Sequence, residues 1–548
     1  MLYLRWRALI PSFVLALTLG TNSFSRGADQ QPSAPQAASS ASPSATVLRA
    51  TTRLVVVDVV ATDSKGEPVL DLTADDFTVL EGGKPQKISG FSFKRGNAAT
   101  PASGGSNNGA FTNAPRFNNA TSMNVILLDG INGDFAGYAY GRDQLLKFLD
   151  TGTLTQPTAL YALEQKLTLL HDFTTDTTEL KALVQEFKPK GPVHVQDVYS
   201  AASPFSARKP SSSTTVNTMD VTITGLNSLA RALAGYPGRK NLIWVSAGFP
   251  ITLFPEIIYD EATPFCHPAC GNPNNLTAAQ NPSFSVGAGK DFAEAVDKTA
   301  NALMNAQVAV YPIDESGLQK DNHLNSINTM RSLADRTGGK AFYNRNDIDV
   351  GIRTSLEDGS TYYTLEYYPE NKTWDGKFRV IQIKGRSGVN LRYRQGYYAL
   401  DPLLQSKDAD KTLARNFSDS LSLDSPSATG VVFRAGIAPA STKTQQVTVN
   451  FAIDPHTLAF QHKDDGLEHA LLSCAVAAFS EKGSLVKEEI TNVSAAMKTD
   501  EFERMMKGQQ FPCTRTIDLK PGSYNLTLGV VDRNSRLMGT TTAWVKVP

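Results

Sequence analysis

"NVILLDGING", residues 124–133, is a run of apolar residues that stops at an aspartate and breaks into glycines. A run apolar on both faces reads as a buried parallel strand. Its end carries a carboxylate to the sheet edge where α/β folds bind ligands. Three roles are open to Asp129: metal ligand, participant in chemistry, or cap of the turn that follows.

Outward from this strand, from 122 to about 360, strands and helices alternate. "NVILLD" leads to "GRDQLLKFLDTG", where Leu145, Leu146, Phe148 and Leu149 mark one helical face. "TALYAL" and "KLTLLHDF" are short strands separated at Glu164 and Gln165, which predicts a hairpin. Asp176 and Glu179 form a capping-box-like start for a helix carrying Leu180, Leu183, Val184 and Phe187. Leu226, Leu229, Ala230 and Leu233 predict another helix, stopped by "GYPGRKN" before the strand "LIWVS". Phe292, Val296 and Leu303 mark a helix and "VAVYPID" a strand. A further helix carries Ile327, Met330, Leu333 and Ala334. Strands alternating with helices predict a mostly parallel sheet covered on both faces, an α/β fold of Rossmann type.

Both flanks read as β. "LRATTRLVVVDVVATDSKGEPVLDLTADDFTVLEGG" opens a strand-rich stretch, so 49–95 is expected to form a small β domain packed on its neighbour. About 45 residues is thin for an independent core. Residues 96–121, rich in Gly, Asn, Ala and Ser, read as a flexible linker. Beyond Gly359 the strands "YYTLEYYP", "FRVIQIKGR" and "VNLRYRQGYYA" trail the α/β domain, giving it bounds of 122–400. The stretch 405–548 predicts a C-terminal β-sandwich, with "LKPGSYNLTLGVVD" in the manner of an immunoglobulin-like strand.

Bulk composition agrees with a multidomain globular chain. The 548 residues include 53 Lys plus Arg and 53 Asp plus Glu. That balance, without a Lys/Arg-rich run, speaks against a nucleic-acid partner. The first 25 residues, "MLYLRWRALIPSFVLALTLGTNSFS", have Arg5 and Arg7 before an apolar stretch interrupted by Pro11, and small residues before a cleavage point after Ser25. They read as a signal peptide, followed by a linker over 26–48. The stretch is short for a spanning helix, which needs about 20 residues. The mature protein is therefore expected to be exported, periplasmic or extracellular, with no membrane span. In an oxidising compartment the cysteines read as disulfides, Cys266 with Cys270 and Cys474 with Cys513. A zinc site at Cys266, His267 and Cys270 lacks a second ligand pair nearby.

The ordered set "NVILLDGIN", "LTLLHDFTTD", "YPGRKNLIWVSAGFP", "VAVYPIDESGL", "LADRTGGKAF" and "YYTLEYYPENKTWDGKFRVIQIKGRSGVNLRYRQGYYA" resembles the von Willebrand factor A-related domain of the acidobacterial type, found in exported proteins. The resemblance runs from about Leu54 to Tyr398. It implies a Rossmann-like sheet with a ligand site at the C-terminal edge of its strands, and a role in protein interaction outside the cytoplasm.

The wider fold often carries a metal-ion-dependent adhesion site, Asp-x-Ser-x-Ser, completed by a Thr and a later Asp. Hard oxygen ligands there hold Mg²⁺ with one position open to a partner's carboxylate. Asp129 stands in the first place. The serine places hold Ile131 and Gly133, and the late Asp is Ala247, preceded by Ser246. Thr222 or Thr224 suits the Thr role, and Asn132 and Asp134 are candidates for a rebuilt site. The site reads as degenerate, with Asp129 accepting backbone amides in its turn. A divalent cation on Asp129 is the alternative.

Other candidates carry less. His171 and Asp172 are adjacent on a strand, so they point to opposite faces and cannot relay a proton. Ser246 in "WVSAG" follows Trp244 where a nucleophile elbow has glycine. Asp314, ending "VAVYPID", reaches the same edge as Asp129 as a turn cap or groove residue. The tyrosines of "YYTLEYYP" and "GYYA" read as cross-strand packing pairs, with exposed binding aromatics as the alternative. The expectation is a non-enzymatic exported binding protein that presents the C-terminal sheet edge to a protein partner. A structural or assembly protein of the envelope, with contacts made by the β domains, comes second. A secreted hydrolase is disfavoured, because no acid, base and nucleophile have compatible spacing.

Overall fold

The structure is a computed structural model that describes residues 54–96, 101, 110–132, 135–188, 212–246, 295, 298–315, 317, 324–400, 407–438 and 445–548. The expected signal peptide, the 26–48 linker, Asp134, and Cys266 with Cys270 lie outside the described residues.

At the centre is a five-stranded sheet. Its strands are β1 (Ser122–Asp129), β2 (Thr158–Leu163), β3 (Leu167–Thr174), β4 (Arg239–Ser246) and β5 (Val308–Asp314), in the order β5-β4-β1-β2-β3. β1 runs parallel to β2 and β4, and β4 parallel to β5. β2 and β3 pair antiparallel as the expected hairpin. The apolar runs sit here because each strand is covered twice. Met123, Val125 and Leu127 face α3 (Ser212–Leu233) and α4 (Leu324–Thr337) through Leu226, Leu229, Leu233, Met330 and Leu333. Ile126 and Leu128 face α1 (Phe135–Thr151) and α5 (Ile348–Asp358) through Leu145, Phe148, Leu149, Ile348 and Ile352. The result is a three-layer α/β/α stack. α2 (Thr177–Glu186) starts at Asp176, whose side chain accepts the Thr178 amide at 2.8 Å. The second half of the expected capping box differs: Glu179 accepts the Thr174 hydroxyl instead.

The N-terminal β segment is not self-contained. Strand Thr361–Tyr367 lies between Val55–Thr62 and Ile88–Arg95, antiparallel to both. A second sheet pairs Phe378–Lys384 with Thr78–Glu81. One core joins the two halves, with Val57, Val59, Phe77 and Val79 packed on Tyr363, Leu365, Tyr367, Ile381 and Tyr397. The trailing strands, expected as part of 122–400, thus complete a sandwich with 55–95, and the α/β domain is inserted within it. Some 45 residues cannot bury enough surface alone, so the core is drawn from both ends. Glu81, buried, accepts the hydroxyls of Tyr367 and Tyr397 at 2.9 and 3.0 Å. These tyrosines therefore bridge the two halves as well as pack.

The segment 96–121 also differs from expectation. Ala110–Thr112 is a strand paired with Phe433–Ala438. Asn113 donates to the carbonyls of Ala428 and Val431, each at 2.8 Å, and accepts the Phe433 amide. Phe117 and Ala120 are buried beneath the α/β sheet. Single apolar residues in a polar stretch leave no period to read, which is why composition pointed to a linker.

Beyond 407 two antiparallel sheets pack face to face over a core that includes Val447, Val449, Phe451, Leu472, Val476, Leu526 and Leu528. Cys474 on one sheet is bonded to Cys513 on the other. The sandwich docks on the end of α3, where the Thr429 hydroxyl donates to the Ala232 carbonyl and accepts the Gly235 amide. A side chain at Gly235 would meet the Thr429 carbonyl oxygen at 1.9 Å, so only glycine admits this approach. Among the described residues no helix is long and apolar enough to cross a membrane.

Two outcomes are expected. An isolated 49–95 fragment gives a random-coil circular dichroism spectrum and folds only when 361–400 is supplied; a folded spectrum alone contradicts the shared core. Cys513→Ser lowers the urea-unfolding stability of the C-terminal sandwich by about 2–4 kcal/mol, the usual scale for a loop of this length.

Candidate functional site

In an open sheet of this kind, ligands bind where the strand order reverses, outside the carboxyl ends of the strands. Here that point is the crevice between β1 and β4, which Asp129 and Ser246 terminate. Asp129 is 2% exposed. Its Oδ1 accepts the backbone amides of Ile131 and Asn132 at 3.1 and 3.0 Å. Its Oδ2 accepts the Asn132 side-chain amide at 2.8 Å and the Trp244 indole N–H at 2.9 Å. The Asn132 amide also donates to the Thr222 hydroxyl on α3 at 3.0 Å. Asp129, Asn132, Thr222 and Trp244 are all buried, so four elements of the fold meet around one carboxylate.

The chemistry of this cluster follows from its donors. A carboxylate has about four acceptor positions, and four N–H groups fill them. None of the four can accept a proton, so all favour the charged form. Burial pushes the Asp129 carboxyl up from its ordinary range, and the Asn132, Ile131 and Trp244 donors oppose that push. The residues do not fit a divalent cation. Asp129 has no lone pair to spare, Ile131 offers no oxygen, and the Trp244 indole lies against the carboxylate. Among the described residues, no group of three or more His, Cys, Asp or Glu is placed to hold a metal.

The other expected residues are dispersed. Thr224 is exposed on α3, one residue past the buried Ile223 and away from the carboxylate cluster. Ser246 is buried at the end of β4, in register with Asp314 at the end of β5, and its carbonyl accepts the Glu315 amide at 3.0 Å. His171 faces Glu179 at 3.3 Å, and its Nδ1 contacts the Asp172 carbonyl. Sequence reasoning missed two participants. Trp244 was weighed only as an obstacle to a nucleophile, although a buried indole N–H needs an acceptor and the nearest strand ends in Asp129. Glu315 is buried at the same edge and packed on Gly141, where a side chain would meet its Oε2 at 1.9 Å. The adjacent pair "DE" at a strand end was the signal.

No family model and no curated protein matches this chain. Among solved structures it is similar to a von Willebrand factor type A protein from Catenulispora acidiphila, at 10% identity over 84% of this chain and 74% of that one, with a TM-score of 0.22. It is similar to the ArnB paralog VWA2 from Sulfolobus acidocaldarius, at 8% identity over 86% and 76%, with a TM-score of 0.21. Three N-terminal domains of the type V pili tip protein Mfa5 from Porphyromonas gingivalis give 10% identity over 84% and 99%, with a TM-score of 0.24. Likeness at this level fixes neither site nor function; the three-layer fold stands on its own strand order and register.

Asp129→Ala removes the carboxylate acceptor of four buried N–H bonds, leaving the Asn132 side chain only Thr222, and is expected to cost about 3 kcal/mol or more in urea unfolding. Trp244→Phe, which removes one donor, costs about 1–2 kcal/mol. Equal effects would show that the carboxylate is not the hub.

Proposed function

We propose that this chain is an exported, non-enzymatic binding protein of von Willebrand A type. It would present the loops at the C-terminal edge of its α/β sheet to a protein partner without a bridging metal. The observation that carries this reading is the Asp129 carboxylate, buried and filled by four protein donors. A centre so occupied supports a rigid edge and offers neither a cation nor a nucleophile. Ser246 is buried too, at the end of β4. The intersheet disulfide suits an oxidising compartment, and the C-terminal sandwich would serve as an immunoglobulin-like spacer.

A second reading, assembly through the β domains, is favoured by the C-terminal sandwich surface. Trp544 is 72% exposed there, and Leu485, Val486 and Ile490 are also exposed. Site-specific photo-crosslinking on envelope fractions separates the two. A crosslinker at Ala136, exposed on the first turn of α1 beside the Asp129 loop, is expected to trap a discrete protein adduct. Crosslinkers at Trp544 and at Lys65 are expected to trap none. An adduct at Trp544 alone would transfer the function to the C-terminal domain. The adduct at Ala136 is expected to survive EDTA; its loss, restored by Mg²⁺, would reinstate a metal.

A further inference from the structure

The opposite edge of the central sheet, where β4 and β5 begin, is where the sandwich that hosts the α/β domain docks. A cavity there is lined by Val56 and Asp58 of the strand Val55–Thr62, Arg239, Met304, Gln307, Val308, Ala309, Thr337 and Arg394. It has room for about one water-sized group. Its polar walls are unequally satisfied.

Asp58 is already bonded, by Thr364 Oγ1 at 2.9 Å and Gln307 Nε2 at 3.2 Å. The Thr337 hydroxyl is taken up by the Leu333 carbonyl and the Val310 amide. The arginines are different. Arg239, fully enclosed, donates from Nη2 to the Tyr311 hydroxyl at 3.1 Å and the Gly338 carbonyl at 2.6 Å, but its buried Nε has no partner. Arg394 Nε is likewise buried without a partner. Buried N–H groups of charged side chains are rarely left unmet.

Charge makes the same point. Asp58 balances one of the two arginines. The neighbouring Asp358 pairs with Arg392 and also accepts the Tyr311 hydroxyl. At least one positive charge is therefore left over at the cavity, in a setting where an uncompensated charge is costly. Lys240, whose Nζ donates to the Tyr236 carbonyl, is a further basic group in the field of Asp58, its pKa pushed down to about 7 by burial.

The backbone shows that the wall is built for its polar groups. Gln307 sits at φ 54°, in the left-handed region, just past the helical residues 298–305. Glycine is the ordinary residue at such a position. Glutamine there spends conformational energy to bring its amide to Asp58.

We propose that this cavity binds one small monovalent anion of the halide class, held by Arg239 Nε and Arg394 Nε. The apolar floor of Val56, Met304, Val308 and Ala309 suits a weakly hydrated ion. Asp58 in the same wall disfavours a divalent anion, and the room excludes a bulky one. The ion joins a residue of the α/β sheet to a residue of the trailing sandwich, so its binding would stabilise the docking of one on the other.

The test uses the full chain in potassium gluconate, with chloride substituted at constant ionic strength while thermal unfolding is followed. A saturable rise in Tm of a few degrees is expected, reproduced by bromide and absent with sulfate. Arg394→Gln is expected to lose that saturable response. Crystals grown in bromide are expected to show an anomalous peak within hydrogen-bond distance of both Nε atoms in the unmodified chain. That measurement stands if the variant fails to fold. A linear rise shared with sulfate, a saturable rise retained by Arg394→Gln, or a water without anomalous signal at the two Nε atoms would each overturn the proposal.

Discussion

Strand Thr361–Tyr367 holds the molecule together, because its two faces serve two different bodies. Side chains alternate along a strand. Tyr363, Leu365 and Tyr367 point into the sandwich core. On the other face, Tyr362 donates its hydroxyl to the Thr121 carbonyl at 2.5 Å and accepts the Arg239 amide at 3.2 Å. Those two contacts fix the residue before β1 and the first residue of β4, the strands that end in Asp129 and Ser246. Thr364, on the same face, reaches Asp58. Without this strand the N-terminal segment loses Tyr363, Leu365 and Tyr367 from its core and the α/β sheet loses its footing.

The two ends of the sheet solve opposite electrostatic problems. At the carboxyl end of β1 the Asp129 charge is enclosed by neutral N–H groups, each from a different place in the chain or a tight turn. Such a charge stays buried because dipoles surround it, and no counter-ion is required. At the amino ends two guanidinium groups share a wall with one carboxylate, and dipoles satisfy only part of them. The first arrangement is closed, and the second is short of one acceptor. Binding capacity in the interior thus lies opposite the edge where strand-order reversal directs attention.

Much of the fold was legible from residue pattern. "NVILLD", "LIWVS" and "VAVYPID" are apolar without alternation, and all three became fully buried parallel strands. The helical faces at Leu226–Leu233 and Ile327–Ala334 were visible by period and pack where expected. Long-range partnership was not legible. Nothing in "LVVVDVV" says that its neighbour is "YYTLEYY", because antiparallel register depends on residues about 300 positions away. At the site, Asp129 and Thr222 could be named from a motif. Trp244 could not, since its role depends on the register that sets β4 beside β1. The arginine cavity was invisible because Asp58, Arg239 and Arg394 are scattered singly in strands and share no motif.

The inserted architecture also sets the order in which the molecule can be completed. Strands Val55–Thr62 and Ile88–Arg95 are made early, yet Thr361–Tyr367, which pairs with both, follows only after about 265 more residues. The intervening α/β stretch is rich in short-range helix and strand contacts and can condense first, while closing so long a loop is slow. Until then the strands Val55–Thr62 and Ile88–Arg95 carry bare edges, which are templates for mispairing with other chains. These early strands therefore stay open while the whole α/β stretch is made, and the lifetime of those open edges governs how cleanly this chain reaches its native state.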